Sequence, residues 1–517
     1  MAIKVSLPTQ YSIFFRYTMR PLEIILIIVV LAAALLQVKN ANPRWPNALT
    51  FTGILIAIWY AVHDGVPWQM FPVFAGLLLL LICQLRGIRS KGKTLFASSI
   101  MALSVLSFVL LLLVPMFTLP KPTGPYQVGT RIIYLKDTSR IEDQGTQPGL
   151  PRELMVQIWY PADPSNNHLA VYQRRSETTL GTSYRSVLST NSRLDAPIAK
   201  QGDPFFVLLF NHGWAGRRTQ DTFLTEDLAS HGYVVAAIDH TYNAGRVAMP
   251  DHRVIDDAFG FDPINPEVRT ATQIRDVWNK ELNKWVADES FVLSTLQNDN
   301  LDKASPWYGR LNTTSVGAFG HSFGGAASVQ ICSTDPRIRA GLNMDGWTFG
   351  DISHRQPNDL LMFIYETASN PQPQYLNSKD PATRIGTELN VNDMEQVDSS
   401  LKQDGGYKLF IDGTSHMDFT DHSLVFPWRE WRDRDHISPA RIQTIVRAYV
   451  LAFFDKTLRG ETPALLQDGD ASPFHEVHVK QFIPDQKSAP AEPAKKIQPD
   501  RQQAHQDIAP FSRLNAQ

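Results

Sequence analysis

Between Leu22 and Leu119 the chain carries four apolar runs joined by short polar connections, a density that is unusual for a soluble protein. The strongest is Thr94–Leu119, 26 consecutive uncharged residues, where roughly 20 are enough to cross a bilayer as a helix. Leu22–Val38 comes next, with Glu23 at its edge. Ala48–Val62 and Phe71–Leu85 are shorter and flank His63-Asp64-Gly65-Val66-Pro67, which predicts a helical hairpin with a tight connection. A cleaved signal peptide would need one such run, not four. The competing reading is a buried helical domain of a soluble protein. The pattern therefore predicts a membrane region over 1–119, with transmembrane helices at 22–38, 48–62, 70–85 and 94–119.

Orientation follows from the basic residues between the runs. Arg86, Arg89, Lys91 and Lys93 crowd one loop, and Lys39 and Arg44 follow the first run, whereas Lys4, Arg16 and Arg20 precede it. Because short basic loops stay in the cytoplasm, the count favours an arrangement that sends the rest of the chain outside. The expectation is a multi-pass integral membrane protein of a bacterial inner membrane, with its C-terminal domain on the periplasmic side.

After the fourth run, Pro120-Lys121-Pro122-Thr123-Gly124-Pro125 predicts a stiff linker over 120–125 that ends the helix. Residues 126–483 read as one α/β domain, and 484–517, rich in Pro, Ala, Gln, Lys and Asp, read as a disordered tail. Strand patterns fall at Met155–Trp159, Phe205–Phe210, Tyr233–Ile238, Thr314–Phe319, Ala340–Met344, Leu360–Tyr365 and Tyr407–Ile411, with helical patterns at Ile274–Leu296 and Pro439–Leu458 between and after them. With 49 basic against 51 acidic residues, the chain gives no electrostatic reason to bind nucleic acid. Two cysteines, Cys83 and Cys332, exclude a disulfide framework, and no Cys/His spacing matches a zinc site. Neither a metal nor a cofactor is expected.

The chemistry concentrates at strand ends, where open α/β sheets collect their ligands. Gly320-His321-Ser322-Phe323-Gly324 has the form of a nucleophile elbow: a serine on a sharp strand-to-helix turn, with Gly320 and Gly324 letting neighbouring backbone come close. The other strand ends supply Asn211-His212-Gly213-Trp214, Asp345, Glu366 and Gly413-Thr414-Ser415-His416. Serine, acid, histidine is the chain order of an α/β-hydrolase triad. Ser322 would attack an acyl carbon while His416, whose ordinary pKa lies near neutrality, takes its proton and returns it to the leaving alcohol. A buried carboxylate would fix the imidazole tautomer, and topology leaves Asp345 and Glu366 equally eligible. The backbone N–H groups of Phe323 and Trp214 would receive the oxyanion. His212 and His321 read as loop-orienting residues, and Asp418 as a brace for the histidine loop. The cluster Asp418, Asp421, His422, Asp433, Asp435 and His436 lacks metal-ligand spacing and reads as a hydrogen-bonded loop. Phe426, Trp428 and Trp431 could form an amphipathic rim, although ordinary packing explains them equally well.

These motifs, taken in order, resemble the plasma-type platelet-activating factor acetylhydrolase family. The resemblance is carried by Gly320 to Gly325, by Met344-Asp345-Gly346-Trp347, and by Gly413-x-x-His416-x-Asp418-Phe419. It extends to Lys121-Pro122-Thr123-Gly124-Pro125-Tyr126-x-Val128-Gly129, Trp159-Tyr160-Pro161-Ala162, His212-Gly213 and Asp227-Leu228-Ala229-Ser230-His231-Gly232, and so covers roughly 121–482. It implies an α/β-hydrolase fold with Ser322 as nucleophile, Asp345 in preference to Glu366 as acid, His416 as base, and Trp214 and Phe323 as oxyanion donors. It also implies metal-free hydrolysis of short or oxidised acyl esters of glycerophospholipids. Trp214 stands where the family usually has a smaller aliphatic residue, and the four-helix region has no counterpart in secreted members. A general carboxylesterase or polyester hydrolase, and an inactive hydrolase-fold membrane scaffold, are the alternatives.

Overall fold

The computed structural model describes residues 20–39, 42–86, 90–144, 149–258, 270–353, 355, 359–425, 436–467 and 472–484. The proposed tail beyond Pro484, the Phe426, Trp428 and Trp431 rim, and Asp433 and Asp435 lie outside these residues.

Four helices, α1 (Pro21–Val38), α2 (Arg44–His63), α3 (Phe71–Leu85) and α4 (Ser90–Leu113), form the N-terminal region. Once the turn Trp68–Met70 is counted with α3, all four are long and apolar enough to cross a membrane. α4 stops short of the predicted span 94–119: it ends at Leu113, because Pro115 disfavours helical backbone at the residue before it. Helix α1 packs against α2 and α4, and α3 against α4. Their outward faces stay apolar and exposed, as at Ile28, Phe51, Leu55, Trp59, Leu78 and Val105. Two polar pairs lie inside: Tyr60 donates to Glu23 Oε1 at 2.6 Å, and Gln84 donates to Thr50 Oγ1 at 2.7 Å. The start of α1, the α2–α3 connection and the exit of α4 share one end of the bundle and touch the larger domain. Arg20 donates to the carbonyls of Asp64 (2.8 Å) and Val187 (3.0 Å), Trp68 Nε1 to Gly181 (3.0 Å), and Asn191 to Pro120 (3.1 Å).

That domain is a mixed α/β unit around an 11-stranded sheet in the order β13-β12-β11-β10-β9-β5-β6-β2-β1-β4-β3. Its centre is parallel: β6 (Tyr233–Asp239), β5 (Phe205–Asn211), β9 (Leu311–His321), β10 (Ile338–Met344), β11 (Leu360–Glu366) and β12 (Gly406–Ile411). These strands are buried on both faces, which is why they read as continuous apolar runs. On one side β2 (Pro151–Ala162) pairs antiparallel with β6 and with β1 (Gln127–Ile141), and β4 (Ser189–Leu194) and β3 (Leu169–Val171) complete that edge. β13 (Val477–Phe482) closes the other edge beside β12, and β7 (Arg246–Ala248) and β8 (Val254–Asp256) form a separate ribbon. All seven strands expected from the sequence are present; β1, a long and largely polar strand between β2 and β4, was not among them.

Helices α5 (Thr222–Ser230), α6 (Ala271–Leu301), α7 (Phe323–Thr334), α8 (Pro381–Asp404), α9 (His422–Val425) and α10 (Pro439–Arg459) follow. α10 shows why its limits fall where they do. Ser438 caps it by accepting from Arg441 N–H at 3.3 Å, Pro439 opens it, and Gly460 leaves it in left-handed backbone with φ 72°.

Candidate active site

The predicted site residues gather at the ends of the parallel strands and in the loops that follow them. Ser322 joins β9 to α7 as the residue before the helix, with φ 55° and ψ −123°, a region that non-glycine residues enter only under constraint. Asp345 ends β10 with φ 57°. Both are tied to the next strand over: Ser322 N–H donates to Met344 O and Asp345 N–H to Ile364 O, each at 2.8 Å. The strain is thus held in place by one further rung on each parallel ladder.

The elbow glycines serve close approach. A Cβ on Gly324 would collide with the carbonyls of Asn211 and His212, and one on Gly320 would meet Asn211 O at 2.5 Å. Gly346 has the same role on the acid side, since its Cβ would collide with Ser322 O.

His416 follows β12 on a short turn, His416–Phe419. Its Nδ1 lies 2.7 Å from Asp345 Oδ2; the histidine keeps 43 % of its side-chain surface open and the aspartate 2 %. Asp345 Oδ1 accepts from Ser369 Oγ at 2.8 Å and from Glu366 N–H at 3.2 Å. The two acids left open by topology are therefore unequal. Asp345 bonds the imidazole, and Glu366 supports Asp345 through its backbone. Burial works against a charged His416, but the Asp345 hydrogen bond and the charges of Asp345 and Glu366 outweigh it and raise its pKa above the usual 6.5. Glu366 is itself pushed up to about 7, chiefly by burial and then by the Asp345 charge.

Phe323 is the first residue of α7, so its N–H belongs to the set with no partner inside the helix. Trp214 follows Gly213 after β5, and its indole meets the Phe323 ring edge-on at 5.2 Å. The candidate donors thus share one aromatic cluster, in which Trp278 packs edge-on to Trp214 at 4.8 Å and stacks on Phe349 at 5.4 Å. Trp278 comes from α6, whose periodicity was legible although its contact with the site was not.

The remaining polar residues brace loops. Asp418 Oδ2 accepts from Ser415 N–H (2.7 Å) and Oγ (2.6 Å) and faces His436 Nε2 at 3.2 Å. Asp421 caps α5 by accepting from Thr222 and Phe223 N–H at 2.8 and 3.1 Å. Among the described residues no His, Cys, Asp and Glu group is arranged to hold a metal ion. His212 Nδ1–H donates to Gly213 O at 2.7 Å. His321 is buried, held neutral by burial first and then by the neighbouring His416, and reaches the His416 carbonyl at 2.7 Å. Ser369 and Gln220, which touch Asp345 and the Gly213 turn, went unrecognised in the sequence. Each acts from a loop with no motif around it.

Known proteins share sequence and fold with this chain. The guinea pig (Cavia porcellus) platelet-activating factor acetylhydrolase is 24 % identical over 334 residues, which is 60 % of this chain and 70 % of that protein. A probable 1-alkyl-2-acetylglycerophosphocholine esterase of Arthroderma benhamiae is 28 % identical over 263 residues, 46 % of this chain and 60 % of that one. Among solved structures, a ferulic acid esterase from Streptomyces cinnamoneus superposes with a TM-score of 0.53 at 27 % identity, covering 70 % of this chain and 98 % of its own. The profile of the family described as platelet-activating factor acetylhydrolase, isoform II, matches residues 113–250 and 273–467. This chain therefore belongs to that family of carboxylic ester hydrolases.

Proposed function

We propose that the protein is a membrane-anchored serine hydrolase that cleaves short or oxidised acyl esters of glycerophospholipids, with Ser322, His416 and Asp345 as its triad. The observation that carries this reading is the 2.7 Å bond between His416 Nδ1 and Asp345 Oδ2, adjacent to a serine in an elbow conformation. Asp345 keeps the imidazole proton on Nδ1, which leaves Nε2 to take the Ser322 proton as Oγ bonds to the acyl carbon. The tetrahedral oxyanion is received by the N–H groups of Phe323 and Trp214. Collapse expels the alcohol, which takes the proton from His416, and water then repeats the sequence to release the acid and restore Ser322. The acetyl ester preference rests on the relatives' names.

Ser322→Ala is expected to abolish both p-nitrophenyl acetate hydrolysis and fluorophosphonate labelling while thermal unfolding stays nearly unchanged. Retained turnover would remove the serine mechanism. One observation favours a second reading. The ferulic acid esterase neighbour is covered almost completely, and the Trp214, Trp278 and Phe349 cluster would suit an aromatic acyl group. Relative kcat/KM on acetyl glycerophospholipids and on hydroxycinnamoyl esters separates the two.

The bundle would hold the domain on the external face. The domain meets the end of the bundle that carries Arg20 and Trp68, opposite the connections bearing Lys39, Arg44 and Arg86. Those connections would be cytoplasmic. Cysteine introduced at Lys39 should resist an impermeant maleimide in intact cells, and one introduced at Ser176 should react.

A further inference from the structure

One half-buried side chain joins the three loops of the site. Gln220 Oε1 accepts the N–H of Gly213, in the turn that leads to Trp214, at 2.8 Å. Its amide nitrogen therefore faces His321 Nδ1, at 2.9 Å, and makes that ring nitrogen an acceptor. The His321 proton must then sit on Nε2, where it donates to the backbone carbonyl of His416 at 2.7 Å. The three bonds run in one direction of donation, each consistent with the next, from the β5 loop through the β9 elbow to the β12 loop. The room it occupies is reserved. A Cβ on Gly213 would sit 3.0 Å from His321 Nδ1, and one on Gly216 would collide with Gln220 Oε1.

We propose that Gln220 and His321 form a neutral positioning relay, which sets the His416 backbone against the elbow and holds the Gly213–Trp214 turn in oxyanion-binding geometry. The inference rests on the triad assigned above and adds two residues that do not touch the substrate. Neutrality is required. A proton on His321 Nδ1 would oppose the Gln220 amide donor and place a second positive ring against His416, whose ring centroid is 4.5 Å away. The titratable groups facing His416 are Asp345, Glu366 and His321, and those facing His321 are His416 and His422.

The test uses the full chain in detergent, with kcat and KM for p-nitrophenyl acetate measured from pH 5 to 9. Gln220→Ala should lower kcat roughly ten- to hundredfold with little change in KM, as expected when reacting groups shift by a fraction of an ångström. Its acid limb should also move to lower pH, because a displaced His416 pairs less well with Asp345. His321→Gln keeps a donor at the Nε2 position and should retain the wild-type acid limb. His321→Asn keeps only the link to Gln220 and should shift the limb. Wild-type kcat and acid limb in folded Gln220→Ala, or identical limbs in folded His321→Gln and His321→Asn, would overturn the relay. Should the buried His321 variants fail to fold, the Gln220→Ala profile decides alone. Absence of fluorophosphonate labelling in the wild type would instead overturn the serine mechanism and the relay with it.

Discussion

Changing Asp345 to asparagine separates geometry from chemistry at this site. The amide is nearly the shape of the carboxylate but has one acceptor oxygen in place of two. Asp345 Oδ1 now receives Ser369 Oγ–H at 2.8 Å and Glu366 N–H at 3.2 Å, and Oδ2 receives His416 at 2.7 Å. Turning the NH2 toward Glu366 N–H would set two donors face to face, at a cost of about 1–3 kcal/mol for the unsatisfied backbone group alone. The oxygen therefore stays with Glu366 and Ser369, and the NH2 points at His416. That forces Nδ1 to accept and moves the ring proton to Nε2, where it blocks removal of the Ser322 proton. The imidazolium also loses its counter-charge. A kcat lower by about 10⁴ is expected for a triad acid converted to its amide, equivalent to roughly 5.5 kcal/mol of barrier. Two of the three hydrogen bonds persist and the third is only reversed, so the melting temperature should stay within a few degrees. The assay is burst-phase acylation by p-nitrophenyl acetate at pH 7.5 beside a thermal melt. A kcat within tenfold of wild type, or a larger loss in Glu366→Gln than in Asp345→Asn, would refute the assignment.

Further outcomes are expected. Gly346→Ala should cost about 1–3 kcal/mol in a urea melt, as over-packing against fixed backbone does, and should also lower kcat, since the obstructed atom is the Ser322 carbonyl. The acid limb of kcat/KM should lie above pH 6.5, where His416 loses its proton, and Glu366→Gln should move it downward by removing a charge that favours the imidazolium. For stability the sign reverses: with its folded pKa raised, His416 contributes fully below pH 6.5 and less as the pH climbs through that folded value. Arg218→Met should destabilise by about 3–5 kcal/mol, because it strips the buried Asp239 of its cationic partner: Arg218 pairs with Asp239 and also bonds Glu177 at 2.7 Å, which would keep Arg174. An acid limb below pH 6 or an unchanged Arg218→Met melt would contradict these readings.

What the sequence makes legible follows burial. The six central strands are buried on both faces, so each is an apolar run that needs no partner to be recognised. β1 spans Gln127–Ile141 and carries Arg131, Lys136, Asp137 and Arg140, so its pattern reads as surface until its pairing with β2 is known. α8 is similar, a 24-residue helix with only Leu389, Met394, Val397 and Leu401 as its buried apolar contacts. The span through Leu119 was over-extended because composition alone does not weigh Pro115. At the site, Ser322 and His416 stand in motifs, but Gln220 meets His321 across 101 residues of chain, and no local pattern encodes such a contact.

The choice between Asp345 and Glu366 shows why side-chain chemistry alone could not decide it. Both are carboxylates one residue beyond or at the end of adjacent parallel strands. They differ in backbone. Glu366 has ordinary extended backbone, φ −70° and ψ 154°, and its N–H is spent on Asp345. Asp345 has φ 57°, a conformation that costs of order 1–3 kcal/mol in a non-glycine residue and persists only where neighbours impose it. Here they do: Asp345 N–H continues the ladder to Ile364 O, as Ser322 N–H does to Met344 O one strand earlier. The turn after each strand is bent in the same way and locked by the next. Relaxing Asp345 would release the carbonyl of Ile364 and shift Gly346 against Ser322 O, so Asp345 and Ser322 are constrained as one unit. Under the proposed mechanism that coupling has a use. It fixes the separation of Ser322 and Asp345 through the backbone and leaves His416, on its own turn, as the one triad member whose position must be set by side chains.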